Sequence, residues 1–269
     1  EHYGAVFRAN PIGTGPFQFK RWEENINLVL RKNNRYHEKD SLGNSLPYLE
    51  AIAISFLTDK QSEFLQFSQG NIDFISGLAP SYKDELLTAN GTLRKKYLET
   101  VNMVSGDYLN TEYLGFYMET EQSEIQSELI RQAVNYGFDR QTMITYLRNG
   151  IGTPAENGFI PKGLPSFNSQ KGYSYQPEKA KNLVTKFKQE TGIMNPKITI
   201  STNSLYVDLC EYIQRELEKI GLTVTIDLLT SSTLREEKAT GKLALFRASW
   251  VADYPDAENY LSLFYSKNF

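Results

Sequence analysis

The chain has 269 residues, with 29 Lys and Arg set against 32 Asp and Glu, a net charge of −3 and a pI near 5.6. That balance argues against a general nucleic-acid or membrane-surface binder, and no run of about 18 apolar residues exists to cross a bilayer. The length suits two domains or one large one. A single cysteine, Cys210, excludes an internal disulfide without fixing the redox compartment.

In chain order, strand and helix patterns alternate. Residues 10–16, NPIGTGP, read as a rigid turn in which Gly13 and Gly15 supply positive φ. Leu28 and Leu30 share one face of a strand, and Ile52, Ile54 and Phe56 one face of another. Thr58 and Gln61 form a capping box before a helix that stops at Gly70. A short strand over 72–75 then completes a βαβ-like unit, and 113–118, YLGFYM, is a further apolar strand. Beyond Glu119, Ile125, Leu129, Ile130, Ala133 and Val134 fall on one helical face, and Asp139 caps a helix that turns Met143, Ile144 and Leu147 inward. Residues 149–169 form a Gly/Pro-rich loop, long for a compact domain. Pro177 opens a helix burying Ala180, Leu183, Val184 and Phe187, with Gly192 as its stop. A strand at Ile198 and Ile200, a helix through Leu209, Ile213, Leu217 and Ile220 closed by Gly221, a strand at Val224, Ile226 and Leu228, and a short helix to Thr240 follow. A last strand over 243–246 completes β-α-β-α-β, so 197–249 should be a parallel sheet with helical crossovers.

The segment after that last strand concentrates chemistry. Arg247, Trp250, Asp253 and Asp256 follow the apolar run, at the end of a strand where an open α/β sheet faces a crevice. A guanidinium, an indole and two carboxylates there fit a ligand clamp, and turn chemistry explains Asp253, Pro255 and Asp256 equally well. Catalytic templates fail. His2 and His37 are too few and too far apart for a zinc site, and there is no GxSxG elbow or P-loop. Residues 150–155, GIGTPA, follow a helix instead of a strand and are rejected as a dinucleotide fingerprint. Asp253 and Asp256 as a hydrolytic carboxylate pair remain a weak alternative. Cys210 reads as a small core residue, and the 34 aromatics (17 Tyr, 15 Phe, 2 Trp) as mostly core.

Four stretches together resemble the extracytoplasmic solute-binding proteins of ABC importers, in their peptide and nickel-binding group (family 5). Residues 10–17, NPIGTGPF, look like the group's GTGPF/Y signature, and 70–73, GNID, like its ending after a helix. Residues 129–140, LIRQAVNYGFDR, look like its VRQALNYAIDR helix, followed by the G-x-x-x-P-A loop at 150–155. Residues 250–256, WVADYPD, resemble its W-x-x-D-x-x-D-P segment, with Ala257 in place of the usual proline. The resemblance implies an α/β, two-lobed periplasmic-binding-protein fold (type II-like, large peptide-binding class), of which this chain is a fragment. Residues 1–117 would be the second segment of a split lobe I and 118–269 most of the other lobe, C-terminally truncated, with a hinge near 113–120. Both ends read as cut, and the fragment alone is expected to bind peptide weakly or not at all. The implied role is non-enzymatic capture of a di- or oligopeptide in an interlobe cleft, for delivery to a membrane ABC permease. The implied protein is a periplasmic or extracytoplasmic monomer with no cofactor, lipid anchoring left open. In that reading Asp253 takes the ligand ammonium, Arg247 lies near its carboxylate or makes a salt bridge for which Asp253 is a candidate partner, and the backbone at Ser249 and Val251 pairs with an extended peptide. Trp250 lines the cleft, with Tyr113, Phe116 and Asn203 as outer candidates. A nickel chelate, haem or oligosaccharide is the alternative ligand.

Overall fold

A computed structural model describes residues 4–106, 108–170 and 172–268; His2 lies outside them. The chain forms two compact units, Glu1–Ser81 and Tyr82–Phe269. In the first, β1 (Phe17–Glu23), β2 (Asn27–Lys32) and β3 (Ala51–Ser55) make an antiparallel sheet in that order, with Leu28 opposite Ile54 and Leu30 opposite Ile52. Helix α1 (Lys60–Ser68) follows, and α2 (Pro80–Leu86) runs across the division between the units.

Three local expectations fail here. Gly13 and Gly15 do not take positive φ; the turn is anchored instead by Asn33, whose Nδ2 donates to Gly15 O at 2.9 Å and whose N donates to Pro16 O at 2.9 Å. The cap of α1 is Asp59, whose carboxylate accepts from the N–H of Gln61 and Ser62, so Thr58 is one residue early; a short carboxylate reaches two amides where a Thr hydroxyl reaches one. Residues 72–75 form no strand, and Phe74 stands exposed. Gly70, at φ 75°, ends the helix and turns the chain, and with no sheet partner a run this short has no ladder to join. The first unit is therefore antiparallel, not βαβ.

The second unit carries the larger core. Its elements are β4 (Asn110–Phe116), α3 (Ser123–Gln126), α4 (Glu128–Tyr136), α5 (Arg140–Leu147), α6 (Pro177–Thr191), β5 (Lys197–Thr202), α7 (Val207–Lys219), β6 (Thr223–Leu228), α8 (Ser231–Ala239), β7 (Leu245–Val251) and α9 (Glu258–Leu261). The sheet order is β4-β7-β5-β6. Ile198 pairs with Val224 in parallel, and Ser201 with Phe246, as the alternating pattern requires; β4 joins as an antiparallel edge. Helices α4, α6 and α7 present Val134, Val184, Phe187, Ile213 and Leu217 to Ile198, Ile200 and Leu245. The helix ends of this unit follow the sequence cues: Asp139 caps α5, accepting from Thr142 N at 3.1 Å, Pro177 stands in the first turn of α6, and Gly192 closes α6 at φ 76°. The single face read over residues 125–134 is divided between α3 and α4 by an extended Ser127.

Residues 110–116, expected in the first lobe, fall in the second unit, where β4 is paired along its length with β7; the unit itself begins at Tyr82. Sheet pairing thus carries residues 110–116 into the second unit. The aromatics are also less buried than expected. Phe64, Tyr82, Phe138, Phe187 and Tyr260 lie in the core, but Phe7, Trp22, Phe74, Tyr146 and Phe264, among others, are exposed. Tyr in particular keeps a polar tip in water while its ring covers apolar surface.

Candidate functional site

The site is built on β7 and the turn after it. The strand runs over Leu245–Val251, so the apolar run at 243–246 is only its approach and Arg247 and Trp250 are strand residues. An antiparallel partner extends it: β4 pairs with it from Phe116↔Leu245 to Asn110↔Val251. Side chains directly opposite each other share a face. One face therefore carries Leu245, Arg247, Ser249 and Val251 with Phe116, Leu114, Glu112 and Asn110, and the other carries Phe246, Ala248 and Trp250 with Gly115, Tyr113 and Thr111. The candidates are divided between the two faces. Phe116, Arg247, Ser249 and Val251 stand on one, Tyr113 and Trp250 on the other, and Asn203 just past the end of β5.

The backbone of β7 is half open. Antiparallel partners alternate between residues that bond across the pair and residues whose N–H and C=O point away. Tyr117 N donates to Ala244 O at 2.9 Å and Ala252 N to Leu109 O at 2.9 Å, so residues with even numbers bond to β4. Ser249 and Val251 must then turn their N–H and C=O toward the β5 side. There the pairing of β5 reaches only Phe246. Both residues are exposed.

On the first face Arg247 is 8% exposed and ion-paired with Glu112, not with Asp253. Its guanidinium lies 3.1 Å from the centroid of the Tyr206 ring, and burial pushes its pKa down to about 10, which leaves it charged at neutral pH. On the other face Tyr113, whose pKa burial raises, packs edge-on to Phe159 at 4.9 Å. Phe159 belongs to the long loop at 149–169 and also meets Tyr260 and Phe264. Thr111 Oγ1 donates to Phe159 O at 2.9 Å, and Tyr260 OH to Leu109 O at 2.5 Å. The loop has no strand or helix of its own, yet it is seated on the sheet by this aromatic nest.

Beyond the strand, buried Asn259 organises the turn. Its Oδ1 accepts from Trp250 Nε1 at 2.8 Å and from Asp253 N at 3.2 Å, and its Nδ2 donates to Asp253 Oδ2 at 3.4 Å. Asp253 is exposed and among the described residues has no cationic partner. Asp256 accepts from Glu258 N at 2.8 Å, a structural duty at the start of α9. Cys210 is fully buried and burial raises its thiol pKa, as a core residue requires. Cavities of about 540 and 350 Å³ are lined by first-unit residues, including Arg31 and Arg35 in one and Tyr36 and Tyr48 in the other; none of the candidates borders them.

The sequence reading missed Glu112, Tyr206 and Asn259. Glu112 had a signal: in TEYLGF it shares the face of Leu114 and Phe116, and a carboxylate on an apolar face asks for a cation. Tyr206 and Asn259 reach the site only through tertiary packing.

The oligopeptide-binding protein AppA of Bacillus subtilis is 27% identical over 248 residues, 86% of this chain and 42% of that protein. The glutathione-binding protein GsiB of Salmonella paratyphi A is 24% identical over 275 residues, covering all of this chain and 50% of its own. Among solved structures, the periplasmic binding protein DppA of Helicobacter pylori in complex with the peptide STSA matches at a TM-score of 0.77 and 22% identity, over 97% of this chain and 49% of that one. NikA of Brucella suis in complex with Fe(III)-EDTA matches at 0.75 and 20% identity, over 94% and 50%. The chain thus spans about half the length of the curated relatives it matches and shares the fold of half of each two-lobed binding protein. The model of the bacterial extracellular solute-binding proteins, family 5, matches residues 2–269, and the chain belongs to that family.

Proposed function

We propose that this chain is part of the extracytoplasmic substrate-binding component of an ABC importer, and that its ligand is a short peptide taken up beside β7 and passed to a membrane permease. The observation that carries the reading is the open edge at Ser249 and Val251, which ends at an exposed, unpaired Asp253. An extended peptide adds to such an edge as a strand, with main-chain bonds supplying affinity that tolerates many side chains. A carboxylate at the end of that edge suits a peptide ammonium, since hydrogen bonds between charged groups are about twice as strong as neutral ones. Trp250, held by Asn259, supplies a rigid wall beside it. The names of AppA and of DppA with its peptide agree with this reading.

Other relatives are named for glutathione and haem, and NikA was solved with a metal chelate. Asp253 favours an amine-bearing solute over haem or an anionic chelate, which have no use for a carboxylate. Native mass spectrometry of ligand co-purifying with the full-length protein tests this: peptides of a few residues are expected. Haem, a metal chelate or a sugar in their place would overturn it.

A further inference from the structure

Arg247, which the family resemblance sets near a ligand carboxylate, is a buried cation already paired within the protein. The guanidinium carbon of Arg247 lies over the Tyr206 ring, 3.1 Å from its centroid, and its hydrogen-bond donors project from the edges of the guanidinium plane. Glu112 Oε2 is ion-paired with the terminal nitrogen Nη2, and both Nε and Nη2 are buried without a hydrogen-bond partner. The two members of this pair differ in access: the Arg247 side chain is 10% exposed and that of Glu112 43%. Glu112 Oε1 also accepts from Asn110 Nδ2 at 2.8 Å, so both carboxylate oxygens are engaged. Glu112 stands directly opposite Ser249, whose backbone edge is open. A ligand carboxylate lying along that edge would meet a guanidinium whose charge is already paired with Glu112.

We infer that Glu112 is an internal substitute for a ligand carboxylate: it neutralises Arg247 in advance, so the site selects ligands by their ammonium end and is indifferent to a free carboxylate. The inference deepens the peptide reading of the same strand and rests on it for the identity of the ligand. Charge supports it. With Arg247 and Glu112 cancelling, the turn presents exposed Asp253, Asp256 and Glu258, none with a cationic partner among the described residues. A field of that sign attracts amines and repels acids.

The experiment uses the full-length protein with two probes. Calorimetry compares trialanine with its C-terminal amide. Thermal unfolding compares sodium acetate with sodium chloride at equal ionic strength, and needs no peptide binding. Wild type should bind acid and amide within about two-fold of each other and should show no acetate-specific stabilisation. Glu112→Gln, which keeps the shape and loses the charge, should prefer the acid by about ten-fold or more. It should also gain a rise in melting temperature of about 2–4 °C in acetate. Adding Arg247→Met should abolish both gains, and Glu112→Asp should restore the indifference. Glu112→Ser replaces the glutamine variant if that does not fold. Absence of the acetate effect in the charge-removed variant overturns the inference, as does a wild-type preference for the acid that Arg247→Met removes. Failure of every variant to bind trialanine overturns the peptide reading instead and leaves the acetate comparison to decide the role of Glu112.

Discussion

Asp253 and Asp256 sit in one turn yet do different work, because Asp256 is spent on the first turn of α9 while Asp253 keeps its charge facing water. Asp253→Asn in the full-length protein should weaken peptide binding by about 1.5–3 kcal/mol, the range for hydrogen bonds to charged groups. Folding stability should change little, since the Asp253 side chain makes only a long 3.4 Å contact to Asn259. N-acetylation of the peptide should weaken wild-type binding by a similar amount and the variant much less; calorimetry of both proteins with both peptides reads that coupling directly. Equal binding of acetylated and free peptide to wild type would reduce Asp253 to a turn residue. Asp40, in the first unit, shows what a carboxylate looks like when it is structural. It accepts from Tyr48 OH, from Asn44 Nδ2 and from the N–H groups of Leu42 and Asn44. These bonds, that of Tyr48 foremost, lower its pKa from 3.8 to about 2. A depressed carboxylate stabilises the fold above its unfolded pKa, and that contribution fades as pH falls from about 4 through the folded value. Asp40→Asn should therefore flatten the acid limb of the melting temperature between pH 5 and pH 2, to be measured by thermal unfolding against wild type.

At the scale of elements, the join between α4 and α7 is a tight one that the sequence only partly announces. A Cβ on Gly137 would meet Ala133 O at 2.7 Å, Leu217 Cδ2 at 2.7 Å and Ile220 Cδ1 at 2.8 Å. The related motif carries alanine at this place, where this chain has Gly137. Gly137→Ala should destabilise the second unit by about 1–3 kcal/mol, the cost of overpacking a filled core; a denaturant midpoint equal to wild type would show that α7 yields freely. The loop at 149–169 carries a different lesson. Its composition marked it as irregular, which it is, but the side chain of Phe159 decides where it lies, through Tyr113, Tyr260 and Phe264. A partner set drawn from β4 and the C-terminal helices cannot be read from loop sequence.

Across the whole molecule, burial is uneven. The large cluster around Val184, Ile200, Leu217 and Leu245 lies within Tyr82–Phe269. In the first unit, by contrast, β1 and β3 are exposed over most of their length and Phe64 is the one buried residue of α1. Regions with few buried apolar contacts open at lower free energy. Hydrogen exchange on the 269-residue chain should show amides of β5 and α7 protected by roughly two or more orders of magnitude beyond those of β1–β3. Equal protection in both units would mean that the first unit draws stability from something other than its own core.

Sequence alone determined the alternation of strand and helix over 197–249, the parallel pairing of Ile198 with Val224, the caps at Asp139, Pro177 and Gly192, and the family, because periodicity, capping chemistry and ordered motifs are local properties written residue by residue. It also placed Arg247, Trp250 and Asp253 in one candidate stretch. Tertiary structure decided the rest. It extended β7 through Val251 by supplying β4 as a partner, put Arg247 and Trp250 on opposite faces of the sheet, and chose Glu112 over Asp253 as the counter-charge of the guanidinium. Such choices depend on which distant residues a strand is paired with, and pairing is settled by the burial of a shared core rather than by the residues at the site.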